Sequence, residues 1–205
     1  MQRIEKLVLA VLFAAGVTLA AGCSSSPDAA ATASSMDKLN LEMAKVNDSI
    51  DQAVKSLKTL VESPGDNLKS SYDAYSGSVK ALEAQSEVVR TNAEEMKARG
   101  DEFFKEWQEG SGTGVSQETQ AKLNISYAKI KEQMMAAKDG FVPFLTSLKD
   151  VETYLALELT PTGLQKVGPL ASKAQKNATD VKSRITGTMD QINAASALLS
   201  RKPAS

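Results

Sequence analysis

Apolar residues recur at alternating intervals of three and four along almost the whole chain after residue 35. The first run reads Met36, Leu39, Met43, Val46, Ile50, Ala53, Leu57 and Leu60. A second holds the same spacing without a slip through Leu68, Tyr72, Tyr75, Val79, Leu82, Ser86, Val89, Ala93, Met96, Gly100, Phe103 and Trp107. The third contains Leu123, Tyr127, Ile130, Met134, Ala137, Phe141, Phe144, Leu148, Val151 and Leu155. The fourth runs through Leu164, Val167, Ala171, Ala174, Ala178, Val181, Ile185, Thr188, Ile192, Ala195 and Leu199. Strict three-four alternation averages 3.5 residues, the repeat of a narrow coiled-coil seam, and no segment shows the period of two that a strand requires. The pattern therefore predicts four helices.

Three breaker clusters separate them. Ser63-Pro64-Gly65-Asp66-Asn67 ends the first run and offers Asp66 or Asn67 as the next N-cap, Gly110 to Ser116 is a glycine-serine loop, and Thr160-Pro161-Thr162-Gly163 is the third turn. Pro143 lies within the third run, where a proline removes a backbone donor and predicts a kink or break, and is a candidate hinge. Pro169 belongs to the third turn or to the first turn of the last helix. Short connections make successive helices antiparallel neighbours. The fold class is all-α, an elongated antiparallel coiled-coil-like bundle of three long helices and one shorter helix, the first. Folding at the loops places Phe103 and Trp107 near Leu123 and Tyr127, Leu82 near Phe144, and Met36 beside Ala93 or Met96. The small seam residues Ser86, Ala93 and Gly100 predict close helix approach in the middle of the second helix.

Residues 1–35 do not follow this pattern. A short basic start ending at Lys6 precedes an apolar stretch from Leu7 to Ala21, then Gly22 and Cys23. That layout reads as a secretory signal, and Leu19-Ala20-Ala21-Gly22-Cys23 resembles the lipobox of bacterial lipoproteins, with its leucine one step farther back than usual. The stretch is shorter than the twenty or so residues of a membrane span. The expected organisation is a signal peptide over 1–22, a lipidated N-terminus and flexible tether over 23–35, and a helical bundle over 36–200. Cys23 is the expected lipidation site, and Ser24 after it favours the outer membrane by the enteric sorting rule.

Composition narrows the chemistry. The chain has 24 basic and 25 acidic residues, no histidine and one cysteine. Near-neutral charge gives no reason to expect a nucleic-acid partner. Lack of histidine removes the commonest general base and metal ligand, and lipidation of the only cysteine leaves no thiolate. No catalytic, cofactor-binding or metal-binding residue is expected, and the chain is read as no enzyme. Phe103, Phe104 and Trp107 form the densest aromatic group and are a candidate partner patch, although the first and last lie on the seam as ordinary core would.

The second and third helices carry a further pattern: Leu68 and Tyr72, Ser86-Glu87, Val89, Phe104-Lys105-Glu106-Trp107, then Tyr127, Met134 or Met135, Pro143-Phe144-Leu145, Asp150, Leu155 and Leu159. Over roughly residues 68–165 this resembles a family of uncharacterised helical bacterial lipoproteins, the unknown-function family numbered twenty-nine fifty-nine. Where that family has Lys-His-Asn-Leu-Asn-Ala after the leucine, this chain has Ala156-Leu157-Glu158-Leu159-Thr160-Pro161. The resemblance implies a helical lipoprotein and no activity. The functional expectation is a tethered interaction or structural module on the periplasmic face of the outer membrane. It is held to the membrane through Cys23 and meets an envelope protein. The alternative is a carrier of an apolar ligand between helices.

Overall fold

The computed structural model describes residues 29–62, 67–109 and 117–200. Four helices fill them: α1 Ala29–Glu62, α2 Leu68–Gln108, α3 Gln117–Leu157 and α4 Pro161–Leu199. At 1.5 Å per residue the 41-residue α2 and α3 are about 60 Å long, and the 34-residue α1 about 50 Å. The described residues form an all-helical bundle without strands, as the period predicts. The signal segment 1–22 and Cys23 lie outside the described residues.

The helix ends follow local chemistry. The Asn67 side chain accepts the Ser70 N–H at 3.1 Å to start α2, and Thr160 accepts the Gly163 N–H at 3.0 Å to start α4, with Pro161 directly after the cap. Gly163 is fixed by space, since a Cβ there would run into the Glu158 carbonyl oxygen.

The register residues make the core. Every α1 register position from Met36 to Leu60 and every α4 register position from Leu164 to Leu199 is buried. The helices adjoin in the order α2, α1, α4, α3, and the backbones of the diagonal pairs stay apart among the described residues. Close approaches link α1 to α2, α1 to α4 and α3 to α4. The backbones of α2 and α3, although consecutive in the chain, approach each other least of the adjoining pairs.

Two expectations are corrected. Residues 29–35, expected to be flexible tether, are helical and form the first turns of α1. Alanine is the strongest helix former, and Thr32, Ala33 and Ser35 are buried against the bundle, with Ser35 Oγ donating to the Thr32 carbonyl at 2.7 Å. Likewise α3 runs unbroken through Pro143, and Pro169 lies inside α4 beyond its first turn. Both prolines are exposed, as are Asp139 and Gln165 one turn earlier, so the carbonyls left without helical partners lie on the watered side.

Candidate interaction surface

The aromatic end of the bundle is built from α2 and α3. Phe103 and Trp107 sit on the α2 seam and are buried, while Phe104, one step off the seam, is half-buried. Phe103 meets Phe104 and Trp107 edge-on, with ring centroids 5.4 and 5.1 Å apart. Phe104 then contacts the Tyr127 ring of α3 at 5.1 Å. Of the three aromatics expected as a patch, the structure leaves only part of Phe104 open to water; Phe103 and Trp107 hold the bundle end together.

Tyr127 organises this end. Its ring lies where a side chain at Gly100 would be, because a Cβ on Gly100 would come within 2.6 Å of Tyr127 Cε2 and Cζ. The space expected to bring helices together at Gly100 is thus filled by a ring. The Tyr127 hydroxyl shares its proton between the Lys97 carbonyl at 2.9 Å and Asp101 Oδ1 at 3.1 Å. Lys131 Nζ stands 4.5 Å from the ring centroid and 3.8 Å from Asp101. Burial, reinforced by the Asp101 charge, pushes the phenol well above its ordinary value of 10.0. An open groove of about 270 Å³ runs beside the ring, lined by Asp101, Phe104, Lys105, Tyr127 and Lys131 among others.

The other half of the α2–α3 boundary is also tied through side chains. Tyr75 Oη donates to the Leu148 carbonyl at 2.7 Å, Tyr72 Oη to the Glu152 carbonyl at 3.2 Å, and Ser76 Oγ to Glu152 Oε1 at 2.6 Å. Lys149 pairs with Glu83 at 2.7 Å. Burial raises the Tyr75 phenol far above 10.0. Between these ties and the Tyr127 end, the register residues Ser86, Val89 and Ala93 of α2 and Met134 and Phe141 of α3 are only half-buried. Much of the sequence pattern that marks α2 and α3, including Tyr72, Phe104, Trp107, Tyr127 and Phe144, lies along this boundary.

Polar groups inside the bundle gave no sequence signal. Asn40 of α1 is buried and donates through Nδ2 to Asn193 Oδ1 and the Met189 carbonyl of α4, while its own Oδ1 lacks a partner. Asn92 of α2 is buried as well. Each amide sits one position from a register residue, Leu39 or Ala93, so it leaves the period intact and only the folded helices disclose its burial. The α1–α4 boundary is further marked by Lys182 on Asp51 and by Ser196 Oγ donating to Asp37 at 2.7 Å.

Most of the carboxylates in ion pairs lie on the outer faces, as in Arg90 with Glu87, Lys69 with Asp73 and Lys122 with Glu118. The Lys45 ammonium and the Gln85 amide, both bonded to Glu42, hold its carboxyl below the ordinary range. Among the described residues, no group of three or more His, Cys, Asp or Glu side chains converges to hold a metal ion, and no helix is long and apolar enough to cross a membrane.

Comparison with known proteins places the chain. A family described as "Protein of unknown function (DUF2959)" matches residues 34–201, most of the sequence and nearly all of the bundle, and the chain belongs to that family. No curated protein and no solved structure matches it.

Proposed function

We propose that this member of the DUF2959 family is a non-enzymatic cell-envelope lipoprotein, a helical interaction or structural module tethered through acyl chains on Cys23. The observation that carries the reading is the placement of Cys23. A basic start, an apolar stretch and Leu19-Ala20-Ala21-Gly22 precede it, and the bundle begins only six residues later, at Ala29. Acyl chains on the mature N-terminus would hold the bundle at the periplasmic face of the outer membrane and raise its local concentration near an envelope protein partner. The described surface supports an interaction role over catalysis. Many of its charges sit in solvated ion pairs, and the polar groups at the open groove, Asp101, Tyr127 and Lys131, are paired with one another.

The test is metabolic labelling with an alkyne-bearing fatty acid in a bacterial host. The wild-type chain should take up label and fractionate with membranes. Cys23→Ser should lose the label and become extractable without detergent. Label retained on the Cys23→Ser chain, or none on the wild type, would overturn the tether. Photo-crosslinkers at exposed α2 positions such as Lys80 and Glu94 would then capture the partner. Absence of any envelope crosslink from a labelled, folded chain would remove the interaction role.

A further inference from the structure

We infer that the bundle opens along the boundary between α2 and α3, with the α1–α4 contact acting as the spine of a book. The four helices form two hairpins, α1 with α2 and α3 with α4, joined along two boundaries of unequal construction. At the spine the backbones approach closely, and the register positions of both helices are buried throughout. At the α2–α3 boundary they approach least, and Leu68, Tyr72, Ser86, Val89 and Ala93 of α2 are half-buried although they lie in the apolar register.

What bridges that boundary is side chains reaching across a gap. At one end Tyr75, Tyr72, Ser76 and Lys149 form four ties, of which the Lys149–Glu83 pair is the most open to water, and at the other Tyr127 is tied to Lys97, Asp101 and Phe104. Parting either boundary uncovers buried apolar surface, but α2 presents half-buried register positions where α1 and α4 present a continuously buried stripe, so less apolar area is newly exposed at α2–α3. The cheaper boundary to part is therefore α2–α3. Opening starts at the Tyr72–Glu152 end, because Gln108 and Gln117 are joined through the short connection at the other end and cannot move far apart. An apolar wall bearing Tyr75, Val79 and Leu82 then faces water opposite one bearing Phe144 and Leu148. Regions with few close contacts are the ones that open below the free energy of global unfolding. The inference rests on packing alone and is independent of the tether.

Thiol reactivity in the folded state tests it. In the full chain carrying Cys23→Ser, Val79→Cys places a thiol at the α2–α3 boundary, and Ala178→Cys places one on α4, one turn from Lys182 at the spine. Without denaturant, the boundary thiol should react at least about tenfold faster than the spine thiol, with a rate little affected by low urea. Tyr75→Phe keeps the ring and removes one tie, so it should speed the boundary thiol about five- to tenfold while that rate stays little affected by low urea. Equal rates at the two sites would overturn the inference. So would a boundary-thiol rate that tracks global unfolding in urea, or one that Tyr75→Phe leaves unchanged. Circular dichroism melts of each variant separate loss of fold from local opening.

Discussion

Gly100→Ala sets two effects of opposite sign against each other. In a helix interior, alanine is favoured over glycine by about 1 kcal/mol, and Gly100 lies well inside α2. Considered alone, the substitution stabilises. At this position, however, the new Cβ would stand 2.6 Å from Tyr127 Cε2 and Cζ and 2.7 Å from its hydroxyl oxygen. The ring cannot slide away freely, because that hydroxyl is bonded to the Lys97 carbonyl and to Asp101, and Phe104 packs against it. Relief by overpacking strain costs about 1–3 kcal/mol, and relief by swinging the ring gives up hydrogen bonds worth about 1–2 kcal/mol. The steric side wins, and the expected net effect is destabilisation by about 1–2 kcal/mol, read as a lower midpoint in urea melts followed at 222 nm. The decisive comparison repeats the substitution on Tyr127→Ala, where the ring is absent and Gly100→Ala should stabilise by about 1 kcal/mol, giving a coupling of about 2–3 kcal/mol. Gly77→Ala, with nothing within 4 Å of the new methyl, is the control and should stabilise in either background. If Gly100→Ala stabilises the wild-type chain as much as Gly77→Ala does, the account of Tyr127 as the occupant of that space is refuted.

Three further outcomes are expected. Gly163→Ala should lower stability by about 2 kcal/mol or more, because its Cβ would press on the Glu158 carbonyl in the α3–α4 turn; a melt within experimental error of the wild type would contradict this. The phenols of Tyr75 and Tyr127 are raised in the fold relative to the unfolded value of 10.0, so their contribution is complete below pH 10 and is lost as pH rises above it. Phenolate absorbance from these two should therefore appear together with loss of helicity, and Tyr75→Phe should flatten the alkaline decline; phenolate formation by all four tyrosines in a still-helical chain would count against their burial. Asn40→Leu removes a buried oxygen that has no partner and should raise stability by about 1 kcal/mol while loosening the α1–α4 register. Urea melts measure the first effect and distance measurements across α1 and α4 the second, and a destabilised variant would show that the amide contributes more than its desolvation costs.

The four helices were legible because each carries enough large apolar residues to define a period, and Met36 to Leu60 occupy the buried face that period requires. The start of α1 was not, since Ala29 to Ser35 is a run of small residues whose burial depends on what lies beside them. Pro143 does not break α3 for a related reason: its sequence context reports a missing donor but not that the affected turn faces water. Membership of the family was legible in the spacing of α2 and α3, and the match extends well beyond that region into α1 and α4. For the candidate surface, the aromatic trio was visible as composition, while its division into two buried rings and one half-buried ring needed the third dimension. The difference between the two boundaries joining the hairpins was not readable at all. Both carry the same three-four repeat, and only the distance between backbones separates them.

The pairing of α1 with α4 also sets an order of folding. Each hairpin closes through contacts local in sequence, and such contacts form early because little chain entropy is lost in making them. Asn40 and Asn193 are 153 residues apart, so the spine is the last and most distant closure. On a ribosome that adds residues from one end, α1 and α2 can pair long before α4 exists, leaving the α4-facing side of α1 uncovered until α4 is made. Of the described helices, the earliest made thus waits on the latest for its full burial.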